Sequence, residues 1–464
     1  MFAVHHNYMP FYNRQLEEQR IKTALQRHRS QFIVVYGRRR AGKSTLLRRL
    51  LGEGDVYFQA SETTAAYQLE RLTAALAEKF PGLGGARFMD WKALLIAVRG
   101  FTKDRFTLVI DELPYLVQSD SELPSVLQEF VDDRDRMPFD LIVCGSSQQM
   151  MRGLVLTSTA PLYGRADEVI KIAPLTAGWL NDHLQDATAA ELVTEYATWG
   201  GIPRYWELRS NYGSYDEAVR QLVLQPTGVL HEEPSRLLLE ELQNPVQSTT
   251  LLALIATGVH RPSELGARMG KPATDLSRPL QRLIEMGYLF RETPYGSSAK
   301  QRKGNLYKVA DPFLRFHYHF VYPHLSQLTP QRVPTTWERL RGTLSHFVAP
   351  QWEILCQRAI GNHPRFAPNY SFPGRWWGSV SRHQRIELDL VAQSFDKPSL
   401  LVGECKWSTI DRPEPLRRRL IEKAQLLPFY RGEPIRTILF GKDFTQRDQG
   451  ECWTPAEVLE QLRS

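Results

Sequence analysis

The sequence predicts an α/β protein of several domains, and three observations support this. A chain of 464 residues is longer than one ordinary hydrophobic core can hold. In the first 175 residues, short apolar runs alternate with amphipathic stretches, which is typical of parallel strands joined by helices. A glycine-rich turn separates the first run from the helix that follows it. The strands are predicted at residues 32–36, 106–110, 141–144 and 169–173.

The composition is that of a soluble globular protein, with 42% hydrophobic and 23% charged residues. No apolar run approaches the roughly 18 residues of a membrane span, and the first ten residues lack the features of a secretory signal. We therefore expect a cytoplasmic protein with no membrane partner. Cys144, Cys356, Cys405 and Cys452 form no CxxC pair, which argues against a zinc site or disulfide framework. The formal net charge of +7 is compatible with nucleic-acid binding without establishing it.

Beyond residue 175 the periodicity changes. It is helical from 176 to about 242, with a break at 200–203 (GGIP). Three short helices and a hairpin are predicted over 245–322, and a mixed α/β segment follows from about 325. The predicted domains are residues 1–175, 176–243, 244–324 and 325–464.

Residues 37–44 (GRRRAGKS) match the phosphate-binding pattern GxxxxGK[ST] between a strand and a helix, as that motif requires. The glycines let backbone N–H groups surround phosphates, and the helix N-terminus adds partial positive charge. Lys43 should reach the β- and γ-phosphates of ATP, and Ser44 should supply a hydroxyl to Mg²⁺. A chance match on an ordinary βα turn is the alternative. The predicted ATP-binding residues here are Gly37, Arg38, Arg39, Arg40, Ala41, Gly42, Lys43, Ser44 and Thr45.

Asp111 and Glu112 follow the apolar run at 106–110, at the carboxyl end of a strand, where ligands of α/β proteins bind. We expect Asp111 to hold Mg²⁺ through water and Glu112 to polarise the attacking water. The alternative, a solvated pair that caps the next helix, does not account for the upstream phosphate loop. The sequence thus predicts an ATPase.

The first 240 residues resemble the archaeal-type ATPases of the AAA+/STAND branch of P-loop proteins. The resemblance implies an AAA+-like parallel sheet with a helical lid at 176–243. It rests on FYNR at 11–14 with Glu17 and Glu18, GRRRAGKS at 37–44, LVIDE at 108–112, CGSS at 144–147, PLYGR at 161–165 and GGIP at 200–203.

This resemblance implies roles for residues that are weak signals when taken singly. Ser146 or Ser147 would be a polar sensor near the γ-phosphate, and Arg165 would be an arginine finger. Pro203 in the lid would contact the nucleotide, and Arg14 would lie near the adenine. A serine pair after a strand is usually a turn and GGxP usually a helix break, so the inference depends on their order and spacing. An arginine finger would act on the ATP of a neighbouring subunit, so this role implies a homo-oligomer.

Residues 245–310 predict a winged helix-turn-helix. The first helix covers 249–257, the second opens at 261–265 with Ser263 as a cap, and the third covers 276–286. Pro279 is tolerable only in the first turn of that third helix. Strands at 288–292 and 305–309 would form the wing.

Cations on this segment predict DNA as a partner, because they would lie beside phosphates. The alternative is a winged helix used for protein contacts, with a solvated tip. The cations are Arg278 and Arg282 on the third helix, and Lys300, Arg302 and Lys303 at the tip of the wing.

The last segment carries acidic residues on two predicted strands. In 386–392 (IELDLVA), Glu387 and Asp389 share one face because side chains alternate along a strand. In 400–406 (LLVGECK), Glu404 and Lys406 share a face of the neighbouring strand. Carboxylates from both strands and a lysine should therefore converge.

This pattern resembles the D…ExK arrangement of the PD-(D/E)xK nucleases, whose restriction-endonuclease-like α/β domain is commonly appended to these ATPases. The resemblance implies that Asp389 and Glu404 hold Mg²⁺ and that Lys406 orients a hydroxide. Glu353, on a helix predicted at 352–359, fits the extra acidic ligand of such folds. The proline of the motif is absent before Asp389. An ordinary cross-strand salt bridge is the alternative.

Together these features predict a protein that binds and hydrolyses ATP, binds DNA and cleaves it with a metal ion, with nucleotide state regulating DNA engagement. Two alternatives stay open. One is a nucleotide-gated regulatory switch, and the other is an ATPase whose nuclease-like domain is a non-catalytic scaffold. A metal-dependent nicking assay separates the first prediction from both.

Overall fold

The computed structural model describes residues 13–102, 104–242, 244–297, 304–396 and 398–463. The chain divides into two compact units, with the boundary between Pro174 and Leu175. The finer boundaries at 243 and 324 stay predictions. No helix within the described ranges is both long enough and apolar enough to cross a membrane. Five residues named above lie outside the described ranges, namely Phe11, Tyr12, Lys300, Arg302 and Lys303.

The first unit contains a parallel sheet of five strands, in the order β2-β3-β4-β1-β5. Strands β3 and β4 are buried along their whole length, as expected of parallel strands covered on both faces. All four strands predicted in this region are present, and β2 is an addition. The strands are β1 (Phe32–Gly37), β2 (Val56–Gln59), β3 (Phe106–Asp111), β4 (Phe139–Gly145) and β5 (Glu168–Ile172).

Helices connect these strands and cover the sheet, and the apolar side chains of strands and helices form its core. Strand β4 lies between β1 and β3 and is parallel to both. The loops that follow these three strands therefore leave the sheet at the same edge. The helices are α1 (Gln15–Leu25), α2 (Lys43–Leu50), α3 (Ala65–Lys79), α4 (Trp91–Phe101), α5 (Leu113–Ser119), α6 (Leu123–Asp132) and α7 (Gln148–Met151).

The second unit begins with helices, as the periodicity predicts. A capping box of Thr188 and Glu191 starts the longest of the first five, and Gly200 ends it with a φ of +62°. The five are α8 (Leu180–His183), α9 (Ala189–Trp199), α10 (Pro203–Arg209), α11 (Tyr215–Ala218) and α12 (Glu233–Glu241).

Three helices and a two-stranded antiparallel sheet follow, in the order that a winged helix requires. Pro279 lies in the first turn of the third helix, as expected. The prediction that Ser263 caps the second helix is wrong, because that helix begins at Pro262 with Arg261 as its N-cap. The elements are α13 (Val246–Ala256), α14 (Pro262–Met269), α15 (Ser277–Glu285), β6 (Leu289–Glu292) and β7 (Leu306–Val309).

The C-terminal part of the second unit contains a mixed sheet in the order β12-β11-β10-β9-β8. Helix α18 and strand β10 are both longer than predicted. The helices are α16 (Pro312–Phe316), α17 (Val333–Arg341), α18 (Leu344–Asn362), α19 (Pro413–Gln425) and α20 (Pro455–Glu460). The strands are β8 (Gly374–Ser379), β9 (Arg385–Gln393), β10 (Leu400–Ile410), β11 (Ile435–Phe444) and β12 (Glu451–Trp453).

Candidate nucleotide site and a second acidic cluster

The phosphate-binding loop follows β1 and ends where α2 begins at Lys43. Gly37 is required by a close approach, since a Cβ there would lie 2.4 Å from the carbonyl oxygen of Ile172. Gly42 has a φ of +93°, which favours glycine. The buried Lys43 donates from Nζ to the carbonyl oxygens of Gly37 at 3.0 Å and Arg38 at 3.1 Å. The amine is thereby held over the loop, where phosphates would meet it.

Asp111 ends β3 and is fully buried. Its Oδ2 accepts hydrogen bonds from Ser44 Oγ at 2.6 Å and from Tyr57 Oη, and its Oδ1 accepts from the backbone N–H of Glu112 at 3.0 Å. A serine hydroxyl beside a carboxylate fits Mg²⁺ bound to ATP, because this ion keeps several waters and takes its other ligands from phosphates. Ser44 and Asp111 are therefore the residues that would hold the ion.

Glu112 follows directly and has a φ of +57°, uncommon for a residue with a side chain. Such strain is typical of functional sites. Glu112 Oε2 accepts hydrogen bonds from the backbone N–H and the hydroxyl of Ser146, both at 2.9 Å. Ser147 instead caps α7, its hydroxyl accepting from the Met150 N–H at 3.3 Å. Of the two serines, Ser146 therefore faces the acidic pair.

Arg14 connects the phosphate-binding loop to the end of β5. Its buried guanidinium donates to the carbonyl oxygens of Ala41 at 3.1 Å and Ala173 at 2.6 Å, and pairs with Glu17 at 3.1 Å. Burial lowers the pKa of Arg14, against the opposing effect of the Glu17 carboxylate. These contacts are with the loop backbone, and a role near the adenine stays a prediction.

Arg165 precedes β5 at the surface. Its guanidinium makes two hydrogen bonds to the Asp132 carboxylate, at 2.7 and 3.1 Å, which lower the pKa of Asp132. An exposed ion pair contributes about 0–1 kcal/mol to stability. The role of Arg165 as an arginine finger stays a prediction.

Pro203 is the first residue of α10, in the second unit. A Cβ at Gly201 would lie 1.9 Å from the carbonyl oxygen of Leu175, so this turn requires glycine. The geometry accounts for GGIP as a tight turn before a helix. The predicted nucleotide contact of Pro203 stays a prediction.

A second acidic cluster lies on the C-terminal sheet, where β9 and β10 pair antiparallel. Asp389 Oδ2 accepts from the Cys405 N–H at 2.9 Å. The buried Glu404 pairs with Lys406 Nζ at 2.5 Å and lies 3.7 Å from Lys423 Nζ on α19. Burial lowers the pKa of Lys406, but Glu404 and neighbouring acids outweigh burial and raise it. The structure thus brings Asp389, Glu404 and Lys406 together.

Burial, followed by the carboxylates of Glu353 and Glu404, raises the pKa of Asp389 to about 7. Burial also raises the pKa of Glu353, which lies on α18. A divalent cation would relieve the repulsion among these acids. Within the described ranges, however, no three His, Cys, Asp or Glu side chains are grouped so as to hold a metal ion. The residues thus fit a shared metal only in part, and the ligand role of Glu353 stays a prediction.

Glu387, predicted to share a strand face with Asp389, pairs with Arg375 on β8 at 2.7 Å. Arg375 also lies 3.3 Å from Glu292 on β6, which pairs with Lys308 on β7 at 2.8 Å. The Tyr295 N–H donates to the Arg375 carbonyl oxygen at 2.8 Å. The β6–β7 hairpin is therefore attached to the edge of the C-terminal sheet, a contact that the sequence analysis did not predict.

Sequence reasoning also missed Tyr57, and it took Lys423 for a contact to a nucleic-acid backbone or a solvated cation without placing it beside Glu404. Tyr57 lies in the short strand β2, which was not predicted, and nothing local marks its hydroxyl as a partner of Asp111. Lys423 is one of several cations on α19, and nothing in the sequence distinguishes it from the exposed Arg418 and Arg419. The position of each follows from packing between elements that are distant in the chain.

Comparisons with known proteins agree with this description of the first unit. The model of a family described as an ATPase domain predominantly from Archaea matches residues 11–208. The model of a family of archaeal and bacterial proteins of unknown function matches residues 317–418. An uncharacterized protein of Methanocaldococcus jannaschii is 29% identical over 453 residues, which cover 95% of this chain and 98% of that protein.

One solved structure has a similar fold, and a second matches more weakly. A Walker-type ATPase of Pyrococcus abyssi has a TM-score of 0.50 and 19% identity, over 66% of this chain and 96% of that one. The ORC2 protein of Aeropyrum pernix has a weaker TM-score of 0.46 and 16% identity, over 73% of this chain and 97% of that one. Residues 11–208 thus match an ATPase domain found predominantly in Archaea, and the geometry above is that of a P-loop nucleotide site.

Proposed function

We propose that this protein hydrolyses ATP and that its nucleotide state regulates its engagement of DNA. The observation that carries the first half is the juxtaposition at one sheet edge of Lys43, the Ser44–Asp111 pair and Glu112. In the proposed mechanism, Lys43 would bind the phosphates, and Ser44 and Asp111 would hold Mg²⁺. When bound, the ion would neutralise charge that develops on the phosphate oxygens.

Ser146 connects nucleotide binding to the activation of water. Its N–H and hydroxyl donate to Glu112, and a γ-phosphate oxygen would compete for the same two donors. Once Ser146 turns toward the phosphate, the Glu112 carboxylate is free to accept a proton from the attacking water. ATP would thus release the base that its own hydrolysis requires.

The second half of the proposal rests on α13–α15 and the β6–β7 hairpin. Arg278 and Arg282 lie exposed on α15, as a DNA-facing third helix requires. The attachment of the hairpin to β8 means that DNA held by the hairpin would lie near the C-terminal sheet. A segment used for protein contacts is the alternative.

DNA affinity should depend on nucleotide and fall steeply with salt. Each phosphate neutralised contributes about −0.9 to the slope of log K against log salt concentration. Replacing Arg278 together with Lys300, Arg302 and Lys303 should flatten this slope, because fewer counterions are released. Fluorescence anisotropy of labelled duplex, with ATP, ADP or no nucleotide, measures both effects.

The control is Lys43→Ala, which should still bind DNA but lose the nucleotide dependence. No DNA binding at low salt, or a slope unchanged by the four substitutions, would favour the protein-contact alternative. DNA affinity that is the same with ATP, with ADP and without nucleotide would contradict regulation by nucleotide state.

Arg165 is proposed to act on the ATP of a neighbouring subunit in a homo-oligomer. Arg165→Ala subunits keep an intact phosphate-binding loop, whereas Lys43→Ala subunits keep an intact finger. Mixing the two should therefore restore part of the hydrolysis that each lacks alone. Steady-state turnover over a range of protein concentrations measures this. Turnover independent of concentration, without recovery in mixtures, would contradict action between subunits.

A second candidate function is metal-dependent cleavage of DNA by Asp389, Glu404 and Lys406. The specific observation in its favour is the clustering of the Asp389 and Glu404 carboxylates with Lys406 on paired strands of one sheet. The alternative is that the cluster is a buried ion-pair network in a non-catalytic scaffold. Fold alone does not imply function.

A further inference from the structure

Tyr57 lies on β2, at the edge of the first sheet, and takes no part in the mechanism above. Its hydroxyl donates to Asp111 Oδ2, the same oxygen that accepts from Ser44 at 2.6 Å. Strand β2 pairs parallel with β3, and Tyr57 is in register with Val109, two residues before Asp111. The tyrosine therefore reaches toward the carboxyl end of the neighbouring strand to meet the carboxylate.

The tyrosine ring is held from the other side by α2. The guanidinium carbon of Arg48 lies 3.8 Å from the ring centroid, a cation–π contact. Arg48 follows the phosphate-binding loop by one turn of the same helix that Lys43 and Ser44 begin. The ring is thus fixed between the helix that carries the loop and the strand that carries Asp111.

Asp111 needs such donors because it is fully buried. A buried carboxylate is stable in its ionised form only when hydrogen bonds replace the lost water. Ser44 and the Glu112 N–H supply two of these donors from within the nucleotide site, and Tyr57 supplies one from outside it. Tyr57 can therefore hold the carboxylate in one orientation while Ser44 turns its oxygen toward a metal ion.

We propose that Tyr57 is a positioning residue for magnesium, which orients Asp111 toward the ion without touching nucleotide or metal. This inference rests on the ATP–magnesium site proposed above. Phosphates would be bound by Lys43 and the loop backbone, whereas the Tyr57 hydroxyl donates to the Asp111 carboxylate. Loss of the Tyr57 hydroxyl should therefore weaken the magnesium-dependent part of nucleotide binding and leave the metal-free part unchanged.

Tyr57→Phe tests the inference, because phenylalanine keeps the ring on Arg48 and removes only the hydroxyl. We expect the free Mg²⁺ concentration that half-saturates the gain in ATP affinity to rise about tenfold or more, the effect of a hydrogen bond to a charged group. Affinity for ATP in EDTA should change less than about twofold, because the phosphate contacts of Lys43 and the loop backbone do not depend on the metal. Binding of a fluorescent ATP analogue, titrated with Mg²⁺, measures both quantities without turnover.

Mn²⁺ binding to the protein–nucleotide complex, followed by electron paramagnetic resonance, should show the same weakening. Tyr67→Phe is the matched control, since Tyr67 is exposed on α3, and it should behave as wild type. An equal loss of ATP affinity with and without Mg²⁺ would overturn the inference in favour of a purely structural role. An unchanged Mg²⁺ titration would show that the Tyr57 hydroxyl does not position Asp111 for the ion. If wild type itself shows no magnesium-dependent nucleotide binding, the proposed ATPase site fails instead.

Discussion

Replacing Glu112 by Gln should leave ATP bound and slow its hydrolysis by a factor of about 10² or more, the usual contribution of a positioned base. Glutamine is close in shape to glutamate, and its amide oxygen can still accept from Ser146. The strained turn at Glu112 should therefore persist. The amide cannot take a proton from water, so the variant should bind ATP like wild type but hydrolyse it slowly. Single-turnover release of phosphate, alongside equilibrium ATP binding, measures them.

Two comparisons make this experiment specific. Lys43→Ala should lose tight binding itself, because the phosphates lose their main positive contact. Ser146→Ala should slow hydrolysis more than Ser147→Ala, because the Ser146 hydroxyl donates to Glu112 and would pass to the γ-phosphate, whereas the Ser147 hydroxyl accepts from the Met150 N–H. Normal hydrolysis by Glu112→Gln would show that another group activates the water.

The second large effect is expected at Asp389. If the C-terminal cluster cleaves DNA, Asp389→Asn should abolish cleavage, because the amide is a poor ligand and cannot share a cation with Glu404. Cleavage should require Mg²⁺ or Mn²⁺, with Ca²⁺ bound but inactive, and Lys406→Ala should be equally deficient. Assays should include duplex, single-stranded and branched DNA. Glu387→Gln is the matched control, since Glu387 pairs with Arg375 instead.

Asp389→Asn also tests a prediction about stability that does not depend on DNA cleavage. The carboxyl of Asp389 has its pKa raised from 3.8 to about 7, so the folded state disfavours the charged form. Wild type should therefore lose stability relative to Asp389→Asn as pH rises from about 4 to about 7, reaching a difference of about 2–4 kcal/mol above that range. Chemical denaturation at several pH values measures the difference.

A divalent cation should narrow this difference by stabilising wild type alone, since binding to the folded state raises its stability. If the difference in unfolding free energy between wild type and Asp389→Asn does not vary with pH, the raised pKa of Asp389 is contradicted. Wild type that cuts no DNA with either metal would remove the nuclease proposal and favour the scaffold. Both outcomes leave the ATPase prediction untouched, because it rests on other residues.

The local features of the nucleotide site follow from the sequence. Four strands, the helix at Lys43 and the carboxylates at Asp111 and Glu112 were predictable, because short apolar runs and turn glycines act over a few residues. The Glu404–Lys406 pair on one strand face was predictable for the same reason, since alternation is a property of the strand itself. Boundaries were less certain, and α18 and β10 both extend beyond the predicted ranges.

Contacts between distant parts of the chain required the tertiary structure. The position of β4 between β1 and β3 brings Ser146 to Glu112, and the edge strand β2 brings Tyr57 to Asp111. Alternation placed Glu387 beside Asp389, and the structure pairs the Glu387 carboxylate with Arg375 from the next strand. Strand order and partner choice depend on how whole elements bury their apolar faces against one another, and no local pattern specifies that.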